Sequence, residues 1–394
     1  SSRWRARLAS AGEPGWLTER RRKGASLVSE LELPNQKTKG WEFTDLAGLD
    51  IDSFDPAPAA VDGLGSDADP GVAVVGSLAS AAARLGDVVE GALGSVVSAE
   101  DPFVARNEAA WDDGLLVYVP RGERLAEPAR IDIGAGDGVT SWRTLIVLEE
   151  GAEAEVWERY SSQNGGAGLF NGVVEIVIGP GASLRYVCEQ ELSERSLIFA
   201  TQRAELARDA SLEWIALGFG SARGKVRMET KLAGQGSSAR VTGAYAGHNR
   251  QHLDFDTTQE HAAEHTFSDL AFRGVLADRA TSVWRGMIRV DPGAQQTDAF
   301  QENRNLLLSN RAHADAIPGL EIEADDVRCT HAAAVAQVDP EQLFYLQSRG
   351  LPDAAAKRLV IEGFLQELVE RTPEGATRDA LAAAMDRRLG VLLG

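Results

Sequence analysis

Cys329 and His331 are the residues of this chain whose types and spacing most directly suggest chemistry. They lie two positions apart in a run that alternates apolar and polar residues, DDVRCTHAAAV. In a β-strand, residues i and i+2 point to the same face, so a thiolate and an imidazole would lie side by side. A soft metal or an iron–sulfur cluster could use such a pair. The alternative is a buried cysteine beside a hydrogen-bonded histidine. Spacing alone favours this alternative, because free cysteine is among the most buried residue types.

Three other residues with ligating or nucleophilic side chains have a plainer interpretation. His261 and His265 form an H-x-x-x-H pair, which would share one face of a helix and could bind zinc there. Their surroundings are rich in strand-forming residues, which favours a solvated edge of a β-strand instead. Cys188 alternates with Leu184 and Tyr186, so we expect this thiol to lie in the core.

The composition limits the classes of function. The 394 residues carry a formal net charge of −19, which argues against a nucleic-acid or anionic-membrane surface, because phosphate binding needs clustered Lys and Arg. No apolar stretch approaches the ~18 residues of a membrane span. Two cysteines cannot form a disulfide framework, and there is no G-x-x-x-x-G-K-[ST] loop for ATP. The Arg-rich start, SSRWRARLAS, lacks the apolar region of a secretory signal. We interpret it as the start of a helix and expect a cytoplasmic protein.

The pattern of apolar and polar residues changes twice along the chain, which predicts three structural units. Residues 1–112 are largely helical in pattern, apart from residues 50–71, which are rich in Asp, Ala, Pro and Gly and predict a loop. Residues 113–338 alternate short runs of Val, Ile, Leu, Thr and Tyr with polar residues, which is typical of β-strands. Residues 339–394 are helical again. The chain should therefore be mainly β, with a helical domain at each end.

A weak repeat in the strand-rich region distinguishes between two β architectures. Small residues follow an acidic or glycine turn at Ala152, Ala182, Ala210 and Ser237, at intervals of 30, 28 and 27 residues. Two later segments, DPGAQQTD and SNRAHADA, resemble the same turn. A regular period favours a β-solenoid (β-helix), in which each coil buries its face against the next. A β-sandwich is the rival, but a sandwich gives no reason for a repeat.

The C-terminal unit combines a clear helix signal with an ambiguous apolar stripe. Asp339-Pro340 fits an N-cap followed by a first-turn proline. Pro352 opens a second helix, and a third follows from Glu374. Apolar residues recur at three-to-four spacing along the second helix: Leu359, Val360, Phe364, Leu365, Leu368 and Val369. This stripe either packs on the end of the solenoid or docks a partner, and spacing does not separate the two interpretations.

A long C-terminal run is similar to the core of the SufB/SufD family: ENRNLLLSNRAHADAIPGLEIEADDVRCTHAAAVAQVDPEQLFYLQSRGL, residues 302–351. The resemblance extends to GMIRVDPGA (286–294) and to GWEFTDL (40–46), so it covers nearly the whole chain. It implies a non-enzymatic component of the machinery for iron–sulfur cluster assembly. The implied fold is a right-handed parallel β-helix core between N-terminal and C-terminal helical domains. The implied partners are SufB and the ABC-type ATPase SufC.

Two positions make the chain resemble the D branch of this family rather than the B branch. Asn303 stands where the B branch carries its scaffold cysteine, and Ala332 stands where the B branch has a glutamate. The Cys329-Thr330-His331 triplet resembles the Cys-Ser-His of the D branch. The resemblance implies that His331, with Cys329 nearby, ligates a nascent, transient iron–sulfur cluster at the interface with SufB. A B-type paralogue is the alternative.

The resemblance also implies two partner surfaces. The C-terminal helices would hold the ATPase, and the residues assigned to that surface are Phe344, Tyr345, Arg349, Leu359 and Phe364. The solenoid end would pair with SufB, or with a second copy of this chain when SufB is absent, because open strand edges tend to pair. The sequence leaves open whether a flavin binds the assembled complex.

A β-helix enzyme that acts on polysaccharides is a rival from another class of protein. Such an enzyme would place paired carboxylates in a groove along the coils, and Asp254 with Asp256, or Asp325 with Asp326, fits that description. The lack of a secretion signal and the long family resemblance argue against this rival.

Overall fold

Two parallel β-sheets face each other and form the β-solenoid that the repeat predicted. The computed structural model describes residues 12–65 and 72–393. The chain passes from one sheet to the other and back, adding one strand to each sheet per coil. The protein is mainly β, with helices before and after the solenoid.

Among the described residues, each sheet has nine strands. Sheet A consists, in spatial order, of β2 (Val74–Ser77), β3 (Gly114–Val119), β5 (Val139–Leu148), β7 (Leu169–Ile178), β9 (Leu197–Leu206), β11 (Arg223–Leu232), β13 (His252–His261), β15 (Thr281–Val290) and β17 (His313–Ile322). Sheet B consists of β1 (Ala60–Asp62), β4 (Ala129–Ala135), β6 (Glu153–Ser162), β8 (Ser183–Glu191), β10 (Ser211–Gly218), β12 (Ser238–Gly247), β14 (Phe267–Leu276), β16 (Asp298–Leu307) and β18 (Arg328–Gln337). Only β1 and β2 pair antiparallel with their neighbours among these strands. Leaving out one antiparallel strand from each nine-stranded sheet gives eight coils.

Aromatic side chains fill the space between the sheets, which we call the lumen. Side chains alternate inward and outward along each strand, so inward residues of neighbouring coils stack in register. Tyr160 and Phe170 have ring centroids 4.5 Å apart, and Tyr186 and Trp214 have centroids 5.8 Å apart. All four are almost completely buried. Because each buried aromatic ring contributes about 1.5–3 kcal/mol, this column holds successive coils together.

The sequence repeat corresponds to the turn that leads from sheet A to sheet B. A residue with positive φ precedes each small residue of the repeat: Gly151 (67°), Gly181 (63°), Asp209 (58°) and Gly236 (75°). The backbone N–H of each donates to a carbonyl in the same turn of the next coil, as Gly181 does to Arg208 at 2.8 Å. The turns therefore form a hydrogen-bonded ladder of their own, and glycine is favoured in it because it tolerates positive φ.

The later turns depart from the sequence interpretation. His265 and Gln296 hold the positive-φ position in the next two coils, and the buried small residues that follow are Thr266 and Thr297. DPGAQQTD is thus a longer form of the same turn. SNRAHADA connects β16 to β17 on the opposite side of the solenoid, so its assignment to this repeat was wrong. Turns on both sides bury a small residue, here Ala312, and a sequence pattern does not tell the sides apart.

In the described part of the chain, four α-helices precede the parallel coils: α1 (Gly15–Glu30), α2 (Leu78–Arg84), α3 (Gly86–Ala92) and α4 (Pro102–Ala110). The loop expected over residues 50–71 contains the short strand β1, which extends sheet B, and its residues 66–71 lie outside the described part of the chain. The helix expected at the Arg-rich start also lies outside the described residues. None of the helices in the described ranges combines the length and the apolar character that a membrane crossing requires.

The N-terminal residues cover the outer face of sheet A. Trp41 stacks on Phe103 of α4 with centroids 5.4 Å apart, and Phe103 stacks on Phe199 of β9 at 4.4 Å. The segment of residues 40–46, which contains a turn, reaches further strands of the sheet. Its buried Thr44 donates a hydrogen bond to Asp254 of β13 at 2.5 Å. The segment therefore joins the N-terminal helices to coils nearer the C-terminal end.

Three helices follow the solenoid: α5 (Pro340–Ser348), α6 (Asp353–Val369) and α7 (Ala376–Leu393). Asp339 caps α5 as predicted, because its carboxylate accepts the N–H of Glu341 at 2.9 Å. The apolar stripe of α6 packs on the solenoid, but on the outer face of sheet B rather than on its end, so the expected location was wrong. Leu365 and Leu368 join a cluster with Ile215 and other outward residues of the middle strands, which are apolar and need cover.

Strands β17 and β18 are the last strands of the two sheets and form what we call the open end. In β17, His313 donates its N–H to Ala280 at 3.1 Å, so every second residue donates back toward β15. Pro318 is five positions further along and belongs to the alternate set of residues. The backbone N–H groups of that set point away from β15, toward the unpaired edge of the sheet. Because proline has no N–H, it removes one donor from the exposed edge, a known way to limit edge pairing.

Candidate functional site

Strand β18 carries Cys329 and His331 on one face, at the open end. In the parallel register of β16 and β18, Cys329 lies beside Ala299 and His331 lies beside Gln301. Ala299 and Gln301 are buried inward residues, so Cys329 and His331 also point toward the lumen. No strand follows β18 in sheet B within the described ranges. The thiol and the imidazole are thus the last inward layer of the solenoid.

The two side chains differ in their surroundings. Cys329 is half-buried and packs against an apolar cluster that includes Ile288 and Ala299. This burial raises the pKa of the Cys329 thiol above its ordinary value, and the negative charge of Asp298 raises it further. His331 is exposed. The thiol is therefore neutral at physiological pH, and it becomes a thiolate ligand only when a cation lies beside it.

A polar layer lies directly beneath the last inward layer. Gln301, Asn303 and Asn305 are inward residues of β16 and are almost fully buried. The Tyr245 hydroxyl donates to Asn305 Oδ1 at 2.5 Å, and Asn303 Nδ2 donates to the same hydroxyl at 3.2 Å. Gln301 Nε2 donates to the Gly319 carbonyl of sheet A at 3.1 Å. Sequence reasoning missed this layer, although the run QENRN signals it by alternating amides with charges at a period of two.

Apolar side chains surround this polar layer at the open end. Leu320, Ile322 and Val335 belong to the inward sets of β17 and β18, yet their exposed fractions are 38%, 41% and 45%. Inward residues of every earlier coil are covered by the following coil. These three residues are consequently left exposed at the open end, where His331 also lies.

The C-terminal helices present a second exposed apolar surface. Helix α5 has no buried residue, and its Phe344 and Tyr345 are 72% and 57% exposed. Arg349 is exposed, with its guanidinium 5.2 Å from the Tyr345 ring centroid. Leu359 of α6 is also exposed. The structure thus leaves these four predicted docking residues uncovered.

Phe364, the fifth predicted docking residue, has a different environment. It is half-buried and packs against the apolar cluster between α6 and sheet B. The guanidinium of Arg273, on β14, lies 5.8 Å from its ring centroid. Phe364 therefore attaches α6 to the solenoid, and its aromatic face is turned toward the protein.

The H-x-x-x-H pair does not form a joint site. His261 is completely buried at the end of β13, where its ring nitrogens lie 2.7 Å from the Thr266 hydroxyl and 2.8 Å from the Ser268 hydroxyl. His265 is exposed in the following turn. The expectation of a solvated edge was therefore wrong for His261, because the strand ends on an inward position. No group of three or more His, Cys, Asp or Glu residues in the described ranges could hold a metal ion.

The carboxylates considered for a polysaccharide-active enzyme are engaged in structural contacts. Asp254 is buried beneath residues 40–46 and binds Lys225 Nζ at 2.9 Å. Asp256 lies 3.8 Å from the same ammonium group. Asp326 is exposed in a turn, where its backbone carbonyl accepts the N–H of Gln296 at 2.6 Å. The Asp326 carboxylate also accepts a hydrogen bond from the Gln296 side chain, so Asp254, Asp256 and Asp326 all have partners within the fold.

Cys188 lies in the lumen, as predicted. It is buried with Tyr160 and Tyr186 around the carboxyl group of Glu158, which accepts the Tyr186 hydroxyl at 2.6 Å. Burial, together with the neighbouring Glu158, raises the pKa of Cys188 to about 12. This thiol is consequently inert in the folded protein.

Comparison with known proteins finds one family. The model of the SUF system FeS cluster assembly SufBD core domain matches residues 131–364. The chain is 30% identical to the iron–sulfur cluster assembly protein SufD of Bacillus subtilis, over 96% of this chain and 95% of that protein. It is also 30% identical to SufD of Escherichia coli, over 91% and 89% of the two chains. An iron–sulfur cluster assembly SufBD family protein of Mycobacterium tuberculosis is 32% identical over 74% of this chain and 75% of its own length.

Proposed function

Because this chain belongs to the SufBD family of the SUF system for iron–sulfur cluster assembly, we propose that it is a non-enzymatic, cytoplasmic assembly subunit of the SufD type. It pairs with SufB through its open solenoid end and holds the SufC ATPase on its C-terminal helices. The nascent iron–sulfur cluster is the cargo of the complex. His331 and Cys329 contact that cargo at the interface with SufB.

The position of His331 and Cys329 at the open end is the observation that carries the proposal. Both side chains point into a lumen that ends there, and the same end exposes the apolar residues Leu320, Ile322 and Val335. A partner solenoid that adds its own strands to β17 and β18 would cover these residues and enclose the imidazole and the thiol. Enclosure suits a transient cluster, since an imidazole and a thiolate are both cluster ligands.

The ATPase surface is proposed on α5 and α6. Aromatic residues that are exposed and surrounded by polar residues are typical anchors of protein interfaces. Phe344, Tyr345 and Leu359 have this character, and Arg349 extends the surface with a charge beside Tyr345. Phe364 contributes from beneath, by fixing the position of α6.

A co-purification experiment tests the cargo site. This chain, the cognate SufB and the cognate SufC are co-expressed, and the complex is assayed for subunits, iron and sulfide. We expect His331→Ala to keep both partners and to lose most of the iron and sulfide, with a smaller loss in Cys329→Ser. His313→Ala is the matched control, because His313 is an exposed histidine of β17 on the outward set. Normal iron and sulfide in His331→Ala would refute the assigned role.

A second measurement tests the docking surface. Truncating a central aromatic anchor typically costs about 2 kcal/mol or more, which is about a 30-fold loss of affinity. We expect this loss in SufC binding for Phe344→Ala and Tyr345→Ala. Val391→Ala is the control, because Val391 is an exposed apolar residue of α7, outside the proposed surface on α5 and α6. Equal affinities in all variants would refute the surface.

The open end also predicts the behaviour of the chain alone. Without SufB, the apolar residues of the open end and the edges of β17 and β18 should pair with a second copy of the chain. Sedimentation at tens of micromolar should show a dimer, and addition of SufB should dissociate it. A strict monomer would contradict this expectation.

A further inference from the structure

We infer that Arg273 couples the ATPase-docking helix α6 to the strands that carry the cargo site, and this inference rests on the proposed function. Arg273 does not contact the cargo. It acts as a positioning residue, because one guanidinium group joins α6 to β14 and β16 beside the apolar cluster that packs the helix on sheet B.

The contacts of Arg273 are divided between two structural units. The residue points outward from β14, and its side chain is 5% exposed. Nη1 binds Glu302 Oε1 of β16 at 2.6 Å, and Nη2 binds Glu367 Oε2 of α6 at 2.8 Å. Its guanidinium also faces the ring of Phe364 of α6 at 5.8 Å. One planar, rigid group therefore holds a solenoid strand on one side and the helix on the other.

Glu302 brings this linkage to the cargo site. It is paired in register with Ala332 of β18, and Ala332 is the sequence neighbour of His331. A displacement of α6 that pulls on Arg273 is thus applied to β16, one strand away from the imidazole. The Arg273–Glu302 pair is nearly buried, so water and salt screen it weakly and it resists separation.

Arg304 provides a matched control for Arg273, because both arginines bind the carboxylate of Glu302. Arg304 Nη2 binds the second oxygen of Glu302, Oε2, at 2.7 Å. Arg304 is 47% exposed, and its ion pair stays within β16. Removing Arg304 takes one positive charge from the same carboxylate without cutting the connection to α6. Glu367 is bonded strongly enough to Arg273 that the hydrogen bond lowers its pKa.

The test follows the accessibility of Cys329 in the complex assembled with SufB and SufC. Maleimide labelling of the peptide that contains Cys329 is measured by mass spectrometry, with and without a non-hydrolysable ATP analogue. In the wild type we expect nucleotide to change the labelling rate about five-fold or more, the low end of typical allosteric coupling. Arg273→Met should lose this response while keeping both partners, and Arg304→Met should retain it.

A milder variant keeps the test decisive if Arg273→Met folds poorly. Glu367→Gln lies on the exposed side of α6 and leaves the Arg273–Glu302 pair intact, so it should fold normally and lose most of the response. A full nucleotide response in both Arg273→Met and Glu367→Gln would overturn the coupling. A wild-type chain that binds no SufC would instead overturn the proposed function, and the coupling with it.

Discussion

Replacing Arg143 with methionine should loosen the N-terminal helices from sheet A. Arg143 is completely buried on β5, and its guanidinium binds two carboxylates. Nη1 contacts Glu108 of α4 at 2.6 Å, and Nη2 contacts Glu175 of β7 at 2.5 Å. Both carboxylates are buried as well. Methionine keeps the approximate length of the side chain but leaves the two carboxylates without their shared cation.

The remaining contacts set the expected magnitude. Removing one partner from a buried ion pair costs about 3–5 kcal/mol. Glu108 keeps Arg20 at 2.9 Å, and Glu175 keeps the backbone N–H of Gly94 at 2.7 Å, which offsets part of the loss. We therefore expect Arg143→Met to lower the free energy of local opening of α4 by about 3 kcal/mol, or about a 10²-fold increase in opening.

This loss should depend on pH with a defined sign. Burial alone would raise the pKa of Glu108, but the charges of Arg143 and Arg20 outweigh burial and hold the pKa below its ordinary value. In the wild type, Glu108 thus stabilises the fold above its unfolded pKa of about 4.3, and this contribution disappears as the pH falls through the lower folded pKa. Without Arg143, burial raises the folded pKa of Glu108, so acidification should reduce the destabilisation caused by the substitution.

Hydrogen exchange of residues 102–110 measures the opening of α4. The comparison needs two values of pH, one near neutrality and one about two units lower. Arg20→Met is the matched control, because it removes the 30% exposed partner of the same carboxylate and should cost about 1 kcal/mol or less. Wild-type exchange rates in Arg143→Met would refute the reasoning. A loss of opening free energy that becomes larger on acidification would refute it as well.

Three further predictions concern single residues. Thiol reagents should modify Cys329 in the native chain and Cys188 only after unfolding, because the pKa of Cys188 is raised to about 12; equal rates would contradict the lumen position. Burial lowers the pKa of His261 to about 4, so the unfolded chain binds a proton at a higher pH than the folded chain does. The free energy of unfolding should therefore fall by about 3 kcal/mol as the pH falls from about 6.5 to 4. Urea unfolding of the wild type and His261→Gln over this range measures the loss, and parallel pH profiles would refute it. Pro318→Ala should restore an N–H at the open edge and increase self-association in sedimentation, whereas an unchanged or weaker association would argue that the edge does not pair.

The coil repeat could be predicted because it depends on local geometry. Gly151, Gly181 and Gly236 adopt positive φ in equivalent turns, and the small residues after them are buried. Asp339 before Pro340 likewise specifies the start of α5 through its own hydrogen bond. Signals of this kind need only a few neighbouring residues, so a single sequence contains them.

The packing of distant elements could not be predicted in the same way. The apolar stripe that includes Leu365 and Leu368 predicts that one face of α6 is buried. The spacing of these residues does not say which other element packs against that face. The inward positions of Gln301 and Asn303 were missed for a related reason. The period-two rule assigns polar residues to the outside of a sheet, whereas these amides lie inside, where Gln301 donates to the Gly319 carbonyl and Asn303 donates to the Tyr245 hydroxyl.

The C-terminal helices contact two widely separated coils, and these two contacts limit the number of coils that can lie between them. Thr377 of α7 donates to Glu155 of β6 at 2.8 Å, while Glu367 of α6 binds Arg273 of β14. Four strand spacings of about 4.8 Å separate β6 from β14, or about 19 Å. Deleting or inserting one coil in this interval would shift one contact by a full spacing relative to the other, however well the new turns stacked. The number of coils between β6 and β14 is therefore set by the helices as well as by the sheets, and homologues that differ in coil number should do so outside this interval.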